Sequence, residues 1–289
     1  MKYKHIVWTF VCILPFSVAV RFFQLFRLTE PETGFFVSEQ RNTGIVLSVL
    51  IFAAILVYCV IAGFVNRCPL KTPRVTPLLG ISAVTAGVFT LIESVNYVTQ
   101  VNLFFWEKCL LGLLGPAAAV FLVMYGIKGF HNYKLYRPLY AIPSFYYIAR
   151  LVCEFISVSK TAVIFQNLLN MCAIAAVLVF MLEWGKAANN INVERGYKRL
   201  LVSAGAAVLF CETAALPEFF LMIFNKSASE HQSMASLVSL AIIGVFVSVY
   251  IFHHFKNSNL SKKRTNKPPK TLKGSDGASY YVGDLMRRP

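Results

Sequence analysis
The chain has 289 residues, 57% of them hydrophobic and only 14% charged, with a mean hydropathy of +0.60. Soluble domains carry about 25% charged residues, so the composition excludes an ordinary water-solvated enzyme. The formal net charge of +15 does not indicate nucleic-acid binding, because the basic residues lie between apolar blocks and in one tail, where membrane topology places them.

In chain order the apolar blocks fall at 6–26, 45–65, 78–98, 109–127, 139–157, 162–184, 200–224 and 234–255. A helix rising ~1.5 Å per residue needs about 20 apolar residues to cross a hydrocarbon core of ~30 Å. The blocks are solidly apolar, whereas barrel strands are about 10 residues long and alternate. The expected fold is therefore all-α: a polytopic transmembrane helical bundle of eight spans within 1–255, followed by a basic tail at 256–289. Pro268-Pro269 and the Ser, Thr and Gly of that tail predict disorder.

The connectors predict orientation, since cytoplasmic loops hold the excess of Lys and Arg. The N-terminus carries Lys2 and Lys4. The second connector has Arg67, Lys71 and Arg74, the fourth Lys128, Lys134 and Arg137, and the sixth Lys186, Arg195, Lys198 and Arg199. The others hold only Arg27 and Arg41, then Lys108, Lys160 and Lys226. This alternation predicts both termini in the cytoplasm. The first block also has a basic start and a Ser17-Val18-Ala19 cleavage-like site, as a signal peptide would. Its apolar run continues to Phe26, which argues for a retained span.

The motifs of soluble catalysis and of cofactor or metal binding are missing from the sequence. It contains no H-E-x-x-H, G-x-S-x-G or P-loop pattern, and its seven cysteines form no C-x-x-C or zinc spacing. No cofactor and no metal site is expected. His253-His254 reads as an interfacial pair. The basic tail is a topology-fixing segment or an electrostatic contact with anionic lipid.

Polar residues within the spans carry the remaining information, because ionisable groups in hydrocarbon are costly and face the bundle interior. The first, third, fifth and seventh spans run from inside to outside, and their charges lie past the midpoint. The first holds Arg21, with Ser17 and Gln24 on its face. The third holds Glu93 with Thr90, Asn96 and Tyr97. The fifth holds Arg150 and Glu154 with Pro143 and Tyr147, and the seventh holds Glu212 and Glu218 around Pro217. The sixth span runs the other way and starts with Gln166, Asn167 and Asn170, which are therefore at the same depth. The candidate ligand-binding set is Arg21, Glu93, Asn96, Tyr97, Arg150, Glu154, Gln166, Asn170, Glu212 and Glu218. These groups predict a polar cavity in the outer half, open to the exterior or plugged by the first connector, or else a structural network of paired charges. Two arginines cannot neutralise four glutamates, so some glutamates are protonated or a cation is present.

Pro15, Pro116, Pro143 and Pro217 fall inside the blocks and predict kinks. A parallel two-half repeat is discernible, with Pro15/Arg21 matching Pro143/Arg150 and Glu93 matching Glu212. The arginine-bearing end of the first span runs into Thr33-Gly34-Phe35-Phe36, and Pro143, Arg150, Phe155 and Ser159 precede a sixth span with a polar start. In this layout the chain resembles a group of uncharacterised multi-spanning integral membrane proteins of clostridial-type bacteria. The resemblance implies the architecture and a bacterial inner membrane, and implies no activity.

Three readings follow. The first is a site for a small ligand or ion, serving transport, with a cavity reaching both sides. The second is a sensor or accessory subunit without transport, with a cavity closed on the cytoplasmic side. The third is an intramembrane enzyme acting on a lipid-type substrate, with Glu93, Glu212 or Glu218 as acid or base.

Overall fold
The computed structural model describes residues 3–30, 35–64, 75–99, 104–131, 135–159, 165–189, 191, 193–224, 233–265, 271–273 and 279–281. The helices are α1 (Tyr3–Phe23), α2 (Arg41–Gly63), α3 (Pro77–Thr99), α4 (Phe105–Ile127), α5 (Ile142–Ser159), α6 (Phe165–Ala188), α7 (Val193–Ile223) and α8 (Met234–Thr265). Each follows one of the apolar blocks, because a backbone in hydrocarbon must satisfy its own hydrogen bonds. Among the described residues eight helices are long and apolar enough to cross a membrane. The chain is a multi-pass integral membrane protein.

The ends differ from expectation where water, not lipid, surrounds the helix. α7 starts at Val193 and α8 continues to Thr265, well beyond the apolar blocks. Extending an existing helix costs far less than nucleating one, so polar turns continue it outside the membrane. The tail, expected to be disordered, thus begins helical. Within it β1 (Thr271–Lys273) pairs antiparallel with β2 (Ser279–Tyr281), segments whose Thr and Tyr favour strands; Pro268-Pro269 lies outside the described residues.

Pro15, Pro116 and Pro217 are interior to their helices. Pro143 is not: a tight 3-10 turn, Arg137–Ala141, leads into α5, and Pro143 is its second residue. There the missing N–H has no intrahelical partner to lose, so the expected kink is absent. At the other end of the chain's first span, α1 widens into a π-helical turn at Gln24–Leu28, the kind of irregularity found at functional or packed polar positions.

Six helices close a ring in the order α3, α4, α5, α6, α7, α8 and back to α3, while α1 and α2 pair with each other and lie on α7. α7 is consequently the most enclosed span. The two-half repeat is reflected only in sequential pairs: α1 packs on α2 as α5 does on α6, but α1 also packs on α7, whereas α5 packs on α4. The closest pair is α3 with α4, and small residues permit it. A Cβ at Gly80 would meet the Gly126 carbonyl oxygen at 2.6 Å, and one at Gly126 would meet that of Gly80 at 2.6 Å. Without an aqueous driving force between helices, such backbone proximity supplies the packing energy.

The bundle has two chemically distinct ends. The basic end is where α3, α5 and α7 begin. Inside the ring there, Phe121, Tyr125, Tyr140, Phe180, Trp184, Phe246 and Tyr250 are buried. Trp184 contacts the rings of Phe121, Tyr125, Tyr140, Phe180, Phe246 and Tyr250, with centroids 4.8–6.3 Å apart. This aromatic layer fills the ring interior. The opposite, far end holds the polar groups.

Candidate functional site
The intramembrane polar residues form two clusters rather than one. The first lies within the six-helix ring. Arg150 of α5 and Glu93 of α3, both buried, form an ion pair with Nη2 2.7 Å from Oε1. The Tyr146 hydroxyl donates to Glu93 Oε2 at 3.1 Å, and Arg150 Nη2 donates to the Ser236 Oγ of α8 at 3.0 Å. Three helices that are not all neighbours are thereby tied across the ring. Glu154, one turn beyond Arg150, lies within the field of both Arg150 and Glu93. Tyr97 is within reach of all three charges.

This cluster has more polar atoms than partners. Nε and Nη1 of Arg150 make no hydrogen bond among the described residues. The Arg150 guanidinium also lies 5.9 Å from the Tyr147 ring centroid, which adds cation–π attraction. A buried polar group without a partner costs about 1–3 kcal/mol, and the usual explanation is water, an ion or a ligand.

The second cluster lies between α1, α2, α6 and α7. Arg21 donates from Nη2 to Gln166 Oε1 at 2.6 Å and from Nη1 to Gln24 Oε1 at 3.2 Å. Gln24 Nε2 donates to the Gly44 carbonyl at 3.0 Å and to Ser48 Oγ at 3.1 Å. Gln166 Nε2 donates to the Ala214 carbonyl at 3.1 Å and to Asn170 Oδ1 at 3.4 Å. Glu218 is the acid that acts electrostatically on Arg21. The Arg21 guanidinium also stands 4.8 Å from the Phe165 ring centroid, and Phe36 of the first connector packs on the same ring. The connector is held there by a bridge between Thr29 and Phe36, so its described part covers this cluster.

Glu212 belongs to neither cluster. It is buried on α7 with its carboxylate against Gly244 of α8, whose missing side chain makes the room. No salt bridge reaches it among the described residues.

Several members were not singled out in the sequence. Tyr146 precedes Arg150 by four residues and so shares its face. Ser236 and Ser239 lie in the opening turns of α8, at the far end, the first half-buried and the second buried; depth alone marks them. Glu107 is buried at the start of α4, where Oε2 accepts the Phe104 N–H at 3.0 Å; its capping position was legible from Glu at the third helical residue. No group of three or more His, Cys, Asp or Glu among the described residues is arranged to hold a metal ion. No family model, curated protein or solved structure matches the chain.

Proposed function
We propose that this multi-pass membrane protein binds a small polar ligand or ion at the Glu93–Arg150–Glu154 cluster within the ring. The observation that carries this reading is the buried Arg150 guanidinium, two of whose nitrogens make no hydrogen bond among the described residues, beside an excess of acid. A ligand there supplies oxygen acceptors to Arg150 and positive charge toward Glu154. A hydrated cation and a zwitterionic amino acid both have that chemistry. The Arg21 cluster, whose donors are mostly engaged within the protein, reads instead as a staple between α1, α2, α6 and α7. The excess of Lys and Arg in alternate connectors supports both termini on the cytoplasmic side, with the binding cluster in the outer half; the resemblance noted above implies a bacterial inner membrane.

The aromatic layer around Trp184 supports a sensing role over transport, since it fills the ring on the cytoplasmic side of the cluster. Binding is then passed along α3, α5 and α8, the helices that the cluster joins.

The test is a thermal-stability screen of the detergent-purified protein against cations, amino acids, sugars and lipid head groups, since specific binding raises the midpoint by mass action. The expected result is a ligand that raises the Tm of the wild type and loses that shift in Glu154→Gln. If no compound shifts the midpoint while Glu93→Gln and Arg150→Ala each unfold early, the charges are a structural network and the binding reading fails. Uptake of the same ligand into liposomes would replace sensing with transport.

A further inference from the structure
Both α2 and α6 pack on α7, yet they have no substantial contact with one another toward the basic end. At the far end they converge through Phe52, whose ring meets those of Phe165 and Phe210 at 6.1 Å and 5.7 Å. Lower down, the Tyr58 hydroxyl wedges α2 against α7 over Gly205 and donates to the Leu201 carbonyl at 3.4 Å. The two helices therefore diverge below Tyr58 and leave a cleft with α7 as its floor. The cleft has a volume of about 550 Å³, within the range of ordinary ligand pockets. Its walls are small and apolar, with Gly63, Ala176, Val179, Val202 and Ala206, and its basic-end mouth carries Lys198 and Arg199.

Charge at that mouth is net positive. Glu183 also borders the cleft, but its Oε1 is held by Lys186 Nζ at 2.8 Å. Lys198 and Arg199 are left facing the interface with no salt-bridge partner among the described residues. From residue 198 to residue 206 the floor rises about 12 Å into the span at ~1.5 Å per residue. Basic residues at the interface with an apolar slot above them match an anionic lipid: phosphate at the mouth, acyl chain in the slot.

We propose that the α2–α6–α7 cleft is a binding site for one anionic phospholipid, with the phosphate on Lys198 and Arg199 and an acyl chain over Val202 and Ala206. The site is separate from the Glu93–Arg150–Glu154 cluster and does not depend on it.

The experiment is a titration of the full-length protein in detergent with phosphatidylglycerol, phosphatidylcholine of the same acyl chains, and inorganic phosphate. Retained lipid is read by native mass spectrometry and Tm in parallel. Phosphatidylglycerol is expected to bind and raise Tm, with the affinity falling about 30-fold in the Lys198→Gln/Arg199→Gln variant, from roughly 1 kcal/mol per basic residue near the surface. Ala206→Phe, which fills the slot without touching the charges, is expected to abolish retention with Tm in the absence of lipid kept. Equal retention of phosphatidylcholine would show an ordinary lipid annulus and overturn the proposal. So would an equal Tm shift from inorganic phosphate, or undiminished phosphatidylglycerol binding in Ala206→Phe.

Discussion

Arg150 and Glu93 are 2.7 Å apart and nearly inaccessible, so each neutralises a charge that the interior tolerates poorly. Removing one partner of such a pair leaves the other uncompensated and typically costs about 3–5 kcal/mol, whereas replacing both with apolar residues of similar size is often neutral. Glu93→Leu and Arg150→Met are therefore each expected to lower the Tm in detergent sharply, and the double variant to recover most of the loss. Equal, additive losses would show that the pair is not coupled. Both residues were legible in the sequence because charges stand out against an apolar helix. Their pairing was not, and neither was the exclusion of Glu212. Glu212 occupies the same half of the span as its neighbours, but its rotational position aims it at Gly244.

At the scale of elements, the α3–α4 contact is the clearest case of packing set by absent side chains. Adding a methyl group at Gly126 brings it to 2.6 Å from the Gly80 carbonyl oxygen, a distance that only backbone movement relieves. Gly126→Ala is expected to destabilise the protein by roughly 1–3 kcal/mol, the usual cost of overpacking, measured by thermal unfolding; an unchanged midpoint would show that the helices slide apart freely. Trp184 makes the complementary case, since six aromatic rings pack on it. Trp184→Ala is expected to cost about 3–5 kcal/mol by the same measurement, and a loss below about 1 kcal/mol would mean that the layer collapses around the gap. Element positions came readily from hydropathy, to within a few residues for most membrane spans. The ends of α7 and α8 did not, because polar helix outside the membrane has no hydropathy signal.

At the scale of the whole molecule, the ring of α3–α8 with α1 and α2 outside it sets which polar groups meet. The basic connectors predict that a cysteine placed at residue 131, between α4 and α5, reacts with a membrane-impermeant thiol reagent only in inverted vesicles. Labelling of that cysteine from outside intact cells, in a chain whose native cysteines are replaced, would reverse the proposed orientation. The sequence by itself determined the membrane class, the number of apolar spans and the position of each charged residue along its helix. Those properties depend on one-dimensional spacing, which a ~30 Å hydrocarbon layer imposes on every helix separately. Only the tertiary structure decided that Arg21 meets Gln166 while Arg150 meets Glu93, that the polar groups divide into two clusters, and that a basic-mouthed cleft opens beneath Tyr58. Lateral neighbours follow from side-chain size and close helix approach, and in a chain whose spans are all apolar those choices leave no periodic trace.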